Sequence, residues 1–517
     1  MTPLGVPVSD LAKVAVASLV GTSSREHLHR THPPQTAFFI ARKIYAILTH
    51  PLRKFPGPFL CGISNAPYSY WFNGGRRDFI IKDLHEKYGP VVRIAPDELS
   101  FATPQSFRDI YGFRTAPHST FPKSRFYDGS AFSSYGVHGI ITARDPAEHA
   151  QMRRHLSHAF SERALREQEG LVAEIVDEFV KIVGNMGAEG KVVDFEWWLR
   201  CCMFDVTGSL AFGRGFDALK NGGQHPSLKF VVEAMKQLSL IDTMTRFPYL
   251  GKVFALFFAR KLLKLLRGSA MHEEFALSIV RERIANPTTR PDILTRLQEN
   301  LPPNTRLPDI QLATHVCEIL IAGSDTSNTT MGTVFNYVLR DPSLYSRLTT
   351  TIRSHFSSYD KINALEAAKV EMLRSIIQES MRILPPVPGA LNRLVPEGGD
   401  TVDGFFVPGG TYVTTQPLAT ALSPLYFDEP MKFKPERWER SSKGKDILEA
   451  SQPFSLGPRG CLGQNLAWME MNTILCKVFW KLDLELVNTD MDLHRDSKLD
   501  SLWDKPPLLI KVSERRD

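Results

Sequence analysis

The sequence predicts a mainly α protein with a smaller β-rich part, on three observations. Leu307 to Arg340 is mostly apolar with no proline past its second position, and reads as one helix of about 30 residues, some 45 Å at 1.5 Å per residue. From Glu148 onward, helical segments follow one another closely. Strand-like stretches are few and short, and Pro or Gly punctuates them.

Composition narrows the function classes. With 517 residues, 43% of them hydrophobic and 23% charged, the chain can bury a large core and is not a disordered protein. Its net charge of +6 is mild and no Lys/Arg block resembles a nucleic-acid arm, so no nucleic acid is expected as partner. An acidic protein or an anionic membrane surface suits that charge better. The six cysteines include no C-x-x-C pair, which excludes a disulfide framework or a zinc site and implies a reducing, cytosol-facing setting.

In chain order, residues 1–49 form an N-terminal region. Leu11–Val20 is apolar for ten residues but carries Lys13, and Ala37–Leu48 is broken by Arg42 and Lys43. A spanning helix needs about 20 apolar residues, so only a weak membrane-associating segment is expected there. From His50 a basic stretch ends in Phe55-Pro56-Gly57-Pro58. Asp78–Tyr88 reads as a helix, then Pro90–Ala95 and Glu98–Phe101 as a hairpin opening a small sheet. Phe121–Ile141 is a long loop rich in Gly, Ser and aromatics, and long loops in compact domains are often functional.

Glu148–Ser161 reads as a helix with His149 and Arg153 on one face. Pro248–Leu266 mixes large apolar residues with Arg260, Lys261 and Lys264; it is either a membrane-interface helix or an amphipathic helix facing the core. Within the long central helix, Ala322 and Gly323 share a face with Thr326. Small residues there leave room for a diatomic ligand, Thr326 supplies a hydroxyl donor, and Asp325 a carboxylate able to relay protons. The structural alternative is a kinked helix with Thr326 bonded back to the carbonyl of residue 322. Asn328-Thr329-Thr330 matches a glycosylation sequon but is expected to be inert inside a buried helix.

Two Glu-x-x-Arg pairs follow. Glu371 and Arg374 share a polar face with Ser375 and Gln378, whereas Glu379 and Arg382 lie with Ile376 and Ile383 ahead of Leu384-Pro385-Pro386. A buried carboxylate and guanidinium need each other, so the second pair is chosen, with Arg437 of Phe433–Trp438 as a further guanidinium. Val402–Val407 and Thr411–Thr415 read as strands around the turn Pro408-Gly409-Gly410. The basic run Arg437, Arg440, Lys443 and Lys445 is either a docking patch or a solvated loop. Leu493-His494-Arg495-Asp496 looks like a kinase fragment, but no glycine-rich nucleotide loop precedes it.

Phe454–Gly463 holds two glycines and a proline before Cys461, then a helix from Gln464. A thiolate at a helix N-terminus is stabilised by the dipole and by free N–H groups, here those of Leu462 and Gly463. Such a sulfur can serve as a strong-donor axial ligand to haem iron. Arg459, two residues earlier, is placed to reach a haem propionate.

The order Phe-x-x-Gly-x-Arg-x-Cys-x-Gly resembles the haem-binding loop of the cytochrome P450 family. Ala-Gly-x-Asp-Thr, Glu-x-x-Arg and Pro-Glu-Arg-Trp precede it in the family's order, and the resemblance runs from about His50 to the C-terminus. It implies a haem domain over 50–517, with haem b between the long central helix and the cysteine-loop helix. Cys461 becomes the iron ligand, in a loop framed by Phe454 and Gly463, with Ala322 and Gly323 on the opposite side of the haem. Arg459, Arg153, His149 and Arg393 become propionate partners. Thr326 and Asp325 manage protons, and Glu379, Arg382 and Arg437 form a structural lock behind the haem. Phe121–Ile141 covers the substrate, and Val387–Leu391 lines its pocket.

The implied reaction inserts one atom of O2 into a C–H bond, or adds it to a double bond, of a hydrophobic small molecule. Electrons come from NADPH through a separate reductase, with cytochrome b5 as a second donor, since the chain has no flavin or Rossmann fingerprint. The family also implies a cytosol-facing place on the endoplasmic reticulum membrane. Leu156–Ser161 resembles fungal secondary-metabolism members, hence a terpenoid or polyketide substrate. Two other readings keep Cys461: a haem-thiolate isomerase, dehydratase or peroxygenase needing no reductase, and a non-catalytic haem sensor or electron carrier.

Overall fold

The computed structural model describes residues 42, 44–129, 136–225, 238–249, 251, 259–286, 290, 292–299, 306–389, 391–439, 444–499 and 502–515. Two compact units, Met1–Arg53 and Lys54–Asp517, divide the chain, and all the predicted site residues belong to the second. The apolar stretch Leu11–Val20 and half of Ala37–Leu48 lie outside the described residues, as does much of Pro248–Leu266. Among the described residues, no helix is long and apolar enough to cross a membrane.

The second unit opens with three helices, α1 (Phe59–Ile63), α2 (Ala66–Asn73) and α3 (Arg77–Tyr88). The predicted hairpin follows as β1 (Val91–Ala95) and β2 (Glu98–Phe101), antiparallel with Val91 opposite Phe101 and every residue buried. Helix α4 (Pro104–Tyr111) starts where Thr103 and Ser106 close a reciprocal capping box. Helix α5 (Pro146–Ser157) starts two residues earlier than predicted, because the Asp145 side chain accepts from the N–H groups of Ala147 and Glu148. The rest of the predicted helix is a 3-10 turn, His158–Phe160.

Two long helices, α6 (Glu162–Ala188) and α7 (Phe195–Phe212), lead to the central helix α8 (Asp309–Arg340). Pro308 stands at its N-cap, where a missing N–H costs nothing. Helices α9 (Pro342–His355), α10 (Glu371–Ile383) and α11 (Gln464–Lys481) complete the frame. Phe335 of α8 ties the core together, its ring centroid 5.0 Å from that of Phe195 on α7 and 5.2 Å from that of Phe479 on α11.

In the small sheet the strand Tyr412–Thr415 runs parallel to β2 and antiparallel to the two-residue strand Arg393–Leu394, so Arg393 is carried on the sheet edge. The expected single strand Val402–Val407 is instead a hairpin of Asp400–Val402 and Phe405–Val407. Asp403 and Gly404 turn the chain, both with positive φ (50° and 77°), the Asp-Gly signature of a tight two-residue turn.

Candidate active site

The cysteine loop holds its shape through its own backbone. The Cys461 N–H donates to the Phe454 carbonyl at 2.8 Å, and the Gly460 N–H to the Gly457 carbonyl at 3.0 Å. Gly457 has φ +66°, and a Cβ there would stand 2.2 Å from the Tyr111 carbonyl oxygen, so only glycine fits. Gly463 forms the N-cap of α11. Its N–H is the predicted donor that reaches the Cys461 sulfur; this bond and the nearby Arg153 favour the thiolate against burial, which still holds the thiol above its usual range. The other five cysteines are buried, and Cys461 alone exposes surface, although the protein packed round its sulfur is what raises the thiol. Phe454 packs near Trp468 of α11 with ring centroids 6.3 Å apart.

Basic side chains converge beside that loop. Arg153 of α5 donates to the Gly460 carbonyl at 2.6 Å. Arg459 donates to the carbonyls of Ala143, Arg144 and Asp145 at 2.7, 2.8 and 3.2 Å. Arg393 donates to those of Leu391 and Asn392. Lys123, buried in the predicted covering loop, donates to the Ile141 carbonyl and pairs in a β-bridge with Arg393. These groups depress one another. Burial, then Arg459, Lys123, Arg153 and Arg393, lower the pKa of His149 to about 3. Burial and Arg393 bring Arg459 down to about 10, and burial, Arg393 and Arg459 push Lys123 well below the usual amine range.

Helix α8 is buried almost throughout Leu312–Val338, but Ile321, Ala322, Gly323, Asp325 and Thr326 are only partly covered. Thr326 Oγ1 donates to the Ala322 carbonyl at 2.8 Å, the back-bonded arrangement that a mid-helix threonine favours. Gly323 lies against Thr207 of α7, where a Cβ would come within 3.1 Å of Cγ2 and Oγ1; its small size serves the close approach of the two helices. Asp325 pairs with Arg200 of α7 at 3.2 Å, and Arg200 also bonds Glu196 at 2.9 Å. Asn328 is buried and donates to Glu196, which makes the sequon inaccessible.

Comparison with known proteins decides the family. The family model described as Cytochrome P450 matches residues 67–512. Cytochrome P450 monooxygenase ORF11 of Penicillium roqueforti is 44% identical over 89% of this chain and 96% of its own. Cytochrome P450 monooxygenase BipB of Cochliobolus sativus is 40% identical over 93% and 96%. Averantin hydroxylase of Aspergillus parasiticus is 35% identical over 92% and 94%.

The chain belongs to the cytochrome P450 family. This P450 is a monooxygenase, as its relatives are. Its Glu-x-x-Arg lock is the second of the two candidate pairs: Glu379 and Arg382 are fully buried and bonded twice at 2.8 Å. Arg437 Nε reaches the same carboxylate at 3.1 Å, Trp438 Nε1 at 2.9 Å and the Lys434 N–H at 2.8 Å. Arg437 also pairs with Asp446 at 2.8 Å. It is therefore buried in the lock and does not belong to a docking patch; Arg440 and Lys443 of that predicted run lie outside the described residues, and Lys445 is exposed. Gly389, in the predicted pocket segment Val387–Leu391, packs on α3, where a Cβ would stand 2.1 Å from Asp78 Oδ1.

The cofactor implied by the family is haem, and the residues of this P450 fit it. One accessible cysteine faces a clustered set of cations, and the buried Arg459 Nε has no hydrogen-bond partner. Two propionates would supply the missing negative charge. Sequence reasoning named four of the five basic groups and missed Lys123. Its signal was a lysine between Phe121 and Phe126 in the loop already expected to cover the substrate.

Proposed function

We propose that this P450 hydroxylates or epoxidises a hydrophobic small molecule of fungal secondary metabolism, a terpenoid or polyketide, with electrons passed from NADPH through a separate reductase and with cytochrome b5 as a second donor. The observation that carries the reading is the pairing of one accessible cysteine, Cys461, with the basic cluster Lys123, His149, Arg153, Arg393 and Arg459. Haem b, when bound, would supply oxygen activation at its iron.

The chain's own residues supply the rest. Cys461 would give the iron its thiolate sulfur, whose charge the Gly463 N–H moderates. Arg153, Arg393, Arg459 and Lys123 would bind the propionates through charge-assisted hydrogen bonds, and neutral His149 would offer one more polar contact. Thr326, at the partly covered stretch of α8, delivers a proton once its hydroxyl leaves the Ala322 carbonyl. Asp325 feeds that proton step once it parts from Arg200. Ala322 keeps the space beside Thr326 open.

We place the enzyme on the cytosolic face of the endoplasmic reticulum membrane. Phe59, Leu60 and Ile63 of α1, Tyr70 of α2, and Phe405 and Phe406 of the hairpin are all exposed, more large apolar groups than scattered surface residues explain. Phe55 links the two groups, 6.1 Å from Phe405 by ring centroid, and Lys54 donates to the Phe406 carbonyl at 3.3 Å.

The test is the reduced carbon monoxide spectrum of freshly purified protein. An absorption band at about 450 nm is expected; a band at about 420 nm in folded protein would remove the thiolate bond and the proposal with it. Metabolite profiling of a host expressing the chain with a reductase then identifies the substrate class. Turnover without NADPH and reductase would instead favour the isomerase, dehydratase or peroxygenase reading.

A further inference from the structure

Between Asp309 and Asp325 the central helix α8 carries one charged residue, Glu318, set in the apolar run Val316–Ile321. It is 3% exposed. A buried carboxylate in such a run is costly unless its oxygens are fully bonded, and here one four-residue turn bonds them. Oε2 accepts from the Ile141 N–H at 2.6 Å, and Oε1 from the Thr142 N–H at 3.1 Å and the Thr142 hydroxyl at 2.7 Å. The turn closes on itself: the Gly139 N–H donates to Thr142 Oγ1 at 2.7 Å, and the Ala143 N–H to the Gly139 carbonyl at 2.8 Å. A Cβ at residue 139 would stand 2.2 Å from Glu318 Oε2, so a larger residue there would displace the carboxylate from its bonds. The turn is wrapped round the carboxylate.

With its N–H groups turned inward on Glu318, the same segment gives its carbonyls to the basic cluster. Ile141 accepts from Lys123, while Ala143, Arg144 and Asp145 accept from Arg459. Asp145 then caps α5, which carries His149 and Arg153, and Arg153 bonds the Gly460 carbonyl in the cysteine loop. The contacts thus run from α8, through the turn, to Arg459 and Gly460, the two residues before Cys461. Asp145 and Glu148 also face Arg459; Asp145 is exposed and Glu148 partly so, which leaves Glu318 as the fully buried countercharge.

We propose that Glu318 is a positioning residue for the haem propionates: wrapped by Gly139–Thr142, its carboxylate fixes the carbonyls that aim Lys123 and Arg459. The inference rests on the reading that these cations hold haem. It differs from that reading in assigning their placement to a residue on the opposite, oxygen-side helix. In Glu318→Gln the side-chain volume is kept, but one acceptor becomes an NH2 group facing backbone N–H donors, and the negative charge is gone.

The test is haem transfer from purified holoprotein to apomyoglobin. Wild type is expected to release haem slowly, and Glu318→Gln faster by roughly ten- to hundredfold, the range for losing a charge-assisted hydrogen bond. Thr142→Val, which removes one of the three bonds and leaves the carboxylate, is expected to fall between them and covers the case where Glu318→Gln does not fold. Gly139→Ala should accelerate release in wild type but add little to Glu318→Ala, where the missing carboxylate leaves room for the methyl group. Wild-type release rates in folded Glu318→Gln or Thr142→Val would overturn the proposal, as would a fall in Tm with haem release unchanged, since that is a purely structural role. A wild-type protein that takes up no haem would instead overturn the haem reading itself.

Discussion

Thr326 Oγ1 donates to the Ala322 carbonyl and Asp325 lies in an ion pair with Arg200, so the proposed proton delivery would require both groups to change partners. Thr326→Ala removes the hydroxyl with little change in helix propensity. NADPH consumption is then expected to continue while product per NADPH falls severalfold and hydrogen peroxide accumulates; unchanged coupling in a stopped assay of product, NADPH and peroxide would remove Thr326 from the proton path. At the next residue, Ser327 donates to Glu470 of α11 at 3.4 Å, and burial lifts the pKa of that carboxyl to about 8. Folded protein therefore keeps this proton between about pH 4.5 and 8 while unfolded chain loses it, so the group's effect on stability becomes less favourable as pH rises through that window, by up to about 1.4 kcal/mol per pH unit. Glu470→Gln should match wild type in denaturant midpoint near pH 4.5 and exceed it at pH 8. Parallel pH profiles would mean the carboxyl is ionised in the fold. Neither Glu470 nor Lys123 announces itself in the sequence, because burial and neighbours give each its character.

At the scale of elements, the lock shows how a buried charge organises loop structure. Glu379 serves two guanidiniums, an indole N–H and a backbone N–H at once. Glu379→Ala leaves all four without that acceptor, and a cost of about 3–5 kcal/mol is expected, read as a lower urea midpoint and poor haem content on purification. In the cysteine loop, Gly457→Ala adds left-handed strain of about 1–2 kcal/mol to a collision with the Tyr111 carbonyl. Its carbon monoxide adduct is expected to shift from about 450 nm toward about 420 nm, because the loop can no longer hold Cys461 in place. The choice between the two Glu-x-x-Arg pairs was legible from their neighbours, apolar for one and polar for the other. The Asp403-Gly404 turn was written in the sequence too, but alternation on both sides of it hid the reversal.

For the whole molecule, the proposed membrane placement rests on the distribution of apolar surface. Phe59, Leu60, Tyr70, Phe405 and Phe406 come from separate segments and are all exposed. Replacing Phe59, Leu60 and Phe406 together with Ser is expected to lower co-flotation with anionic phospholipid vesicles severalfold while leaving the carbon monoxide spectrum intact. Equal flotation of the variant and the parent would remove this surface from membrane binding.

The sequence by itself determined what is local. The cysteine loop, the length of the central helix, the Glu-x-x-Arg and Pro-Glu-Arg-Trp spacings and the basic residues at 153, 393 and 459 are short-range patterns that survive without a fold. Tertiary structure alone decided the long-range pairings: Lys123 beside Arg393, Arg200 against Asp325, Arg437 drawn into the lock, and Glu318 inside the Gly139–Thr142 turn. The physical reason is that a charge's partner, its burial and its proton affinity are set by residues 58 to 270 positions away, brought together by core packing that no local spacing records.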